Sequence, residues 1–162
     1  MHPPAQIRAE AHASALRVLR SLELPPGTAL AATGSFARNE MTPYSDIDVI
    51  LIYPEGHEPD PALVEQLWYP VWDAKYRLDY ALRTPQECGA IAAEDASAGF
   101  AQLDLAFVAG RKVLVDEARA QLLAAWRRQL QRGFDDFLDT AITRWKRSGA
   151  VAAMTNPDLK NG

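Results

Sequence analysis

The sequence predicts an α+β fold: a small β-sheet in the first half, wrapped by helices, and a helical C-terminal half. Three observations carry this. One apolar run, Ile47–Tyr53, is continuous enough for a strand buried on both faces. A second run, Tyr76–Arg83, alternates with period two and reads as a half-buried strand. Around and after these, apolar residues recur at three- and four-residue spacing, as on amphipathic helices.

Taken in order, residues 5–23 predict a helix, with Ile7, Ala11, Ala15, Leu16, Leu19 and Leu22 on one stripe, stopped by Pro25-Pro26-Gly27. Thr28–Thr33 is a short strand of small residues. Gly34-Ser35 turns, Phe36–Met41 makes about one helical turn, and Pro43 imposes a loop before Ile47. Pro54–Pro61 is a polar surface loop. A helix over Ala62–Ala74 follows, kinked at Pro70, with Trp68 and Trp72 four apart on one core-facing side. In Tyr76–Arg83, Tyr76, Leu78, Tyr80 and Leu82 form the apolar side, with Tyr76 and Tyr80 placed in the core. Thr84-Pro85-Gln86-Glu87 is a capping box with proline at the first helical position, opening a helix to about Ala93. Helices over Ala96–Ala109, ended by Gly110, and over Asp116–Arg147 complete the chain. The expected order is helix, strand, strand, helix, strand, then all helix.

Bulk properties exclude several classes. The chain has 162 residues, 48% apolar and 23% charged, with net charge −4. That size suffices for a core of its own, and the charge gives no global reason to bind DNA or a membrane surface. Cys88 is the only cysteine, which excludes an intrachain disulfide and fits a reducing compartment. His2, His12 and His57 have no metal-ligand spacing. No secretory signal pattern or membrane-length apolar run is visible, so a cytoplasmic location is expected. The basic run Arg144-Trp145-Lys146-Arg147 fits a solvated helix end. Glu94, Asp95 and Asp104 fit exposed or capping positions.

The chemistry concentrates in Ala32–Tyr53, ATGSFARNEMTPYSDIDVILIY. Asp46 and Asp48 are two apart, and in a strand such positions share a face. Adjacent like charges repel unless a cation sits between them, and Mg²⁺ takes one or two carboxylates together with substrate phosphates. Asp79 on the later strand can supply a third carboxylate, enough for a two-metal clamp on an in-line phosphoryl displacement. Gly34 allows close backbone approach to phosphate, Ser35 adds a hydroxyl, and Arg38 adds charge one turn on. Arg83 fits either a phosphate contact or a salt bridge.

Gly34-Ser35, ten residues, then Asp46-Ile47-Asp48-Val49 resembles the signature of the DNA-polymerase-β-like nucleotidyltransferase superfamily, and Tyr76–Arg83 (YRLDYALR) resembles the strand carrying its third carboxylate. Within it, GSFARNEMTPYSDIDVILI, LWYPVWDAKYRLDYALRTPQEC and the closing TNPDLKNG are similar to segments of bacterial protein-PII uridylyltransferases. Ser35 and Ala37 stand where that branch has glycines, and Tyr80 stands near its histidine.

The resemblance implies a small mixed β-sheet nucleotidyltransferase (polymerase-β-like) core over residues 1–93. A helical subdomain over 94–150 follows, then a polar tail over 151–162 at which a longer protein is cut. It implies Asp46, Asp48 and Asp79 as catalytic and metal-holding residues, and Gly34, Ser35, Arg38, Ser45 and Arg83 as nucleotide- and phosphate-binding ones. The implied cofactor is Mg²⁺, or Mn²⁺, with UTP or ATP as substrate. The implied acceptor is a tyrosine of the signalling protein PII. Two other readings stand beside it: a stand-alone nucleotidyltransferase acting on a toxin partner, RNA or a small molecule, and a non-catalytic nucleotide-binding or interaction module.

Overall fold

The structure is a computed structural model that describes residues 4–94, 99 and 102–148. The TNPDLKNG tail and Asp95 lie outside the described residues. The chain divides into two units, residues 1–126 and 127–162.

The first unit is built on a four-stranded sheet of order β3-β2-β1-β4, from β1 (Ala29–Ala32), β2 (Ile47–Ile52), β3 (Leu78–Arg83) and β4 (Ala106–Gly110). β1 pairs antiparallel with both β2 and β4, and β2 pairs parallel with β3, so the sheet is mixed. Side chains alternate across it. Leu30, Ala32, Ile47, Val49 and Leu51 face α1 (Pro4–Arg20), α2 (Gly34–Ala37), α3 (Pro61–Leu67) and α4 (Tyr69–Asp73). Ala29, Ala31, Ile50 and Ile52 face α5 (Pro85–Glu94) and the start of α6 (Lys112–Ser148). From Val49 onward β2 is thus buried on both sides, as its apolar run requires.

Local chemistry sets the element ends. Thr84 and Glu87 close a reciprocal capping box: Thr84 N donates to Glu87 Oε2 at 2.7 Å and Glu87 N donates to Thr84 Oγ1 at 3.2 Å. Asp60 caps α3 by accepting from Ala62 N at 2.9 Å. Pro70 does more than kink one helix. Having no N–H, it cannot continue the hydrogen bonding of the preceding helix and sits instead in the first turn of a new one, and the chain breaks at Trp68 into α3 and α4. The ring of His12 in α1 stacks on Phe36 in α2, centroids 4.5 Å apart, seating the turn that begins at Gly34.

Four expectations are corrected. Ala106–Gly110 is a strand, not the end of a helix over 96–109, so the chain beyond residue 94 is not helical throughout. Its helix-forming alanines are overruled by pairing with β1 and by the burial of Val108. Gly110 terminates that strand in a left-handed conformation, φ +86°. Trp72 is 39% exposed and packs edge-on against Tyr69, whereas Trp68 is fully buried. Tyr80 is 41% exposed on the edge strand, with its ring against Trp68 at 4.9 Å, so it covers the core without entering it. α6 begins at Lys112, four residues before the expected start, and has a non-helical residue at Gly133.

Candidate functional site

The site forms where β1 ends and β2 begins. Thr33 N donates to Asp48 O at 3.0 Å, which ties the end of β1 to Asp48. The chain then turns at Gly34 in the left-handed region, φ +62°. A Cβ on Gly34 would sit 2.8 Å from Asp48 Oδ2, so a side chain here would push that carboxylate aside. Ser35 and Phe36 follow in the first turn of α2, where backbone N–H groups have no intrahelical partner.

The parallel register of β2 and β3 pairs Asp48 with Asp79. Residues so paired point to the same face, and neighbouring strands lie about 4.8 Å apart. Asp48 is half-buried and Asp79 exposed. The Asp48 carboxyl is pushed above its ordinary range, first by desolvation, then by the negative charges of Asp79 and Asp46. Like-charged oxygens crowding a half-buried carboxylate suit a hard divalent cation, which favours oxygen ligands and relieves that repulsion.

Asp46 stands differently. It precedes β2, outside the ladder, and its Oδ1 lies 2.7 Å from Arg77 Nε. Among the described residues no three His, Cys, Asp or Glu side chains are assembled to hold a metal ion. The structure thus brings Asp48 and Asp79 together beside Gly34 and leaves Asp46 on Arg77. Ser45 closes the preceding turn: its Oγ accepts from Thr42 N at 2.9 Å, and its N–H donates to Thr42 O at 3.1 Å.

Two expected phosphate ligands are placed elsewhere or otherwise engaged. Arg38 follows the Gly34 turn, but its Nε is 2.8 Å from Glu40 Oε2 and its Nη1 is 2.6 Å from Asp104 Oδ2. Hydrogen bonds to Glu40, then to Asp104, raise its pKa further. Asp104, expected in an exposed or capping role, instead ties Arg38 to the segment leading into β4. Arg83 pairs with Ile52 at the other end of the strands, four residues or about 13 Å along β3 from Asp79. It is separated from the Asp48 corner because the strand runs away from it.

Sequence reasoning missed Arg77, Glu40 and Asp104. Arg77 had one visible signal, its position on the polar side of the alternating run with Asp79. The pairs of Arg38 with Asp104 and of Arg77 with Asp46 join residues distant in sequence, and no spacing rule reaches them.

Known proteins resemble this chain. A family model described as "Nucleotidyltransferase domain" matches residues 14–99, over half of the chain. The chain is 56% identical over 162 residues to a "Bifunctional uridylyltransferase/uridylyl-removing enzyme" of Corynebacterium glutamicum, covering all of this chain and 23% of that protein. It is 35% identical over 145 residues to a protein of the same description from Mycobacterium tuberculosis H37Rv, covering 84% and 17%. A Streptomyces coelicolor protein so described is 35% identical over 136 residues, covering 83% and 16%. The chain therefore spans less than a quarter of the length of these curated relatives. Among solved structures, one titled "Crystal structure of the toxin-antitoxin with AMP-PNP" aligns with TM-score 0.48 at 12% identity, over 80% of this chain and 98% of that one. With its family model spanning the Gly34 turn and both the Asp48 and Asp79 strands, the chain belongs to the nucleotidyltransferase domain family and is an enzyme domain of that class.

Proposed function

We propose that this domain transfers a nucleoside monophosphate from a nucleoside triphosphate to a tyrosine hydroxyl of the signalling protein PII, releasing pyrophosphate, in a Mg²⁺-dependent reaction. The observation that carries the proposal is the pairing of Asp48 with Asp79 against the Gly34 turn. UMP is the first choice of nucleotide, supported by the relatives' description as uridylyltransferases, and AMP is the second. PII as acceptor rests on the resemblance of the Gly34–Ile52 and Leu67–Cys88 segments to its uridylyltransferases. The proposal concerns the transfer half of the relatives' description.

The residues divide the work as follows. Gly34 and Ser35 present backbone N–H groups and a hydroxyl to the triphosphate where the turn lies against Asp48. Asp48 and Asp79, with Asp46, would hold the divalent metal, which when bound neutralises phosphate charge and polarises the α-phosphoryl group. The acceptor oxygen attacks the α-phosphorus, the bond from that phosphorus to the pyrophosphate oxygen breaks, and the acceptor proton passes to Asp79. Arg38, held by Glu40 and Asp104, braces the turn. Arg83 is left out of the site. Positioning and fixed charge supply most of the acceleration in such a reaction.

The test is thermal unfolding with UTP, ATP, CTP and GTP, each with and without Mg²⁺, in the unaltered chain and in Asp48→Asn. At about a hundred times its dissociation constant a ligand adds roughly 2.7 kcal/mol, and at this chain length each kcal/mol is worth about 2–4 °C. A Mg²⁺-dependent rise with UTP, absent from Asp48→Asn, is expected. Equal rises in both proteins would remove Asp48 from the site.

A further inference from the structure

Arg77 grips the start of β2 and the segment ahead of it at three points. Its backbone oxygen accepts from Ile47 N at 2.8 Å. Its Nη2 donates to Tyr44 O at 2.8 Å, and its Nε meets Asp46 Oδ1 at 2.7 Å. The main-chain bond continues the β2–β3 ladder, but the two side-chain bonds do not. They hold Asp46 on a guanidinium at the rim of the corner where Asp48 and Asp79 pair. Both partners are well exposed, Arg77 at 74% and Asp46 at 54% of their side chains. An exposed pair of this kind is weak and easily exchanged.

A metal-free corner with three free carboxylates would concentrate negative charge. A guanidinium on Asp46 relieves part of that repulsion, which is also what a divalent cation would do. We propose that Arg77 is a stand-in cation: it occupies Asp46 while the corner is metal-free, and a divalent metal takes Asp46 from it on binding. The inference rests on the reading of Asp46, Asp48 and Asp79 as the metal-holding set. It adds a competition between one side chain of this chain and the metal for one carboxylate.

The experiment is Mn²⁺ binding, read by loss of the free-ion paramagnetic resonance signal, with no nucleotide present. It compares the unaltered protein with Arg77→Met, Asp48→Asn and Arg83→Gln. Arg77→Met keeps an unbranched side chain and removes the competitor, so Mn²⁺ should bind about two- to fivefold tighter, the range an exposed ion pair allows. Arg83→Gln removes the same charge about 13 Å from Asp79 along β3 and should leave the affinity unchanged. Unchanged or weaker binding in Arg77→Met, with binding lost in Asp48→Asn, would leave the metal site standing and overturn the exchange. An equal gain in Arg83→Gln would trace the effect to net charge and overturn it too. Undiminished binding in Asp48→Asn would overturn the metal site and the exchange with it.

Discussion

Gly34→Ala isolates the contact on which the corner depends. Two costs follow from the structure. Gly34 has φ +62°, in the left-handed region, where a residue with a Cβ costs about 1–2 kcal/mol. The added Cβ would also lie 2.8 Å from Asp48 Oδ2. That atom ends a short side chain that can rotate, so the clash becomes an off-rotamer cost of about 0.5–1.5 kcal/mol. The two costs separate in a double-mutant cycle with Asp48→Ala, which removes the carboxylate and leaves the backbone strain. Gly34→Ala should lower Tm by about 4–8 °C for a loss near 2 kcal/mol. In the Asp48→Ala background it should cost less, with a coupling of about 0.5–1.5 kcal/mol. Denaturant unfolding of the four proteins gives the numbers. Additivity within about 0.3 kcal/mol would refute the claim that Gly34 is needed for the approach of Asp48.

Other consequences are as direct. Gly110→Ala should destabilise more than Gly34→Ala, because its Cβ would meet the backbone oxygen of Thr28 at 2.5 Å, which cannot rotate away; equal Tm losses would count against the β1–β4 pairing. Thr84→Ala removes one arm of the capping box and should cost about 1 kcal/mol, with the Mg²⁺–UTP shift in Tm unchanged, since the cap lies beyond the far end of β3. Burial pushes the Cys88 thiol up to about 11, so it should resist thiol reagents at pH 8 in the folded protein and react on unfolding. The same shift has a stability consequence. The folded state holds this proton more tightly than the unfolded chain, so the contribution is whole below the unfolded value near 8.5 and is lost as pH rises toward 11. Stability that does not fall across that window would contradict the burial of Cys88.

Much of the site was legible because its residues are joined by local rules. The Gly34 turn, the run after Asp48 and the alternation around Asp79 each follow from short-range periodicity. The parallel pairing of β2 with β3 then brings Asp48 and Asp79 to one face. Asp46 shows where such a rule ends. Two-residue spacing puts it on the Asp48 face only if the strand extends back to it, and the ladder begins at Ile47. β4 was illegible for another reason. Five residues, AFVAG, carry no alternation strong enough to outweigh alanine's helix preference, and the strand owes its existence to the open edge of β1. The split of α3 from α4 was half legible, since Pro70 marks a break but does not put it at Trp68.

The central claim is that the Gly34–Asp48–Asp79 corner directs an α-phosphoryl transfer. The most direct measurement incubates the chain with PII, Mg²⁺ and UTP labelled at the α-phosphate, and follows label on the acceptor protein for the unaltered chain, Asp48→Asn and Asp79→Asn. The account predicts label on PII with the unaltered chain and its loss in both variants while their folds persist. Full labelling by either variant would contradict it.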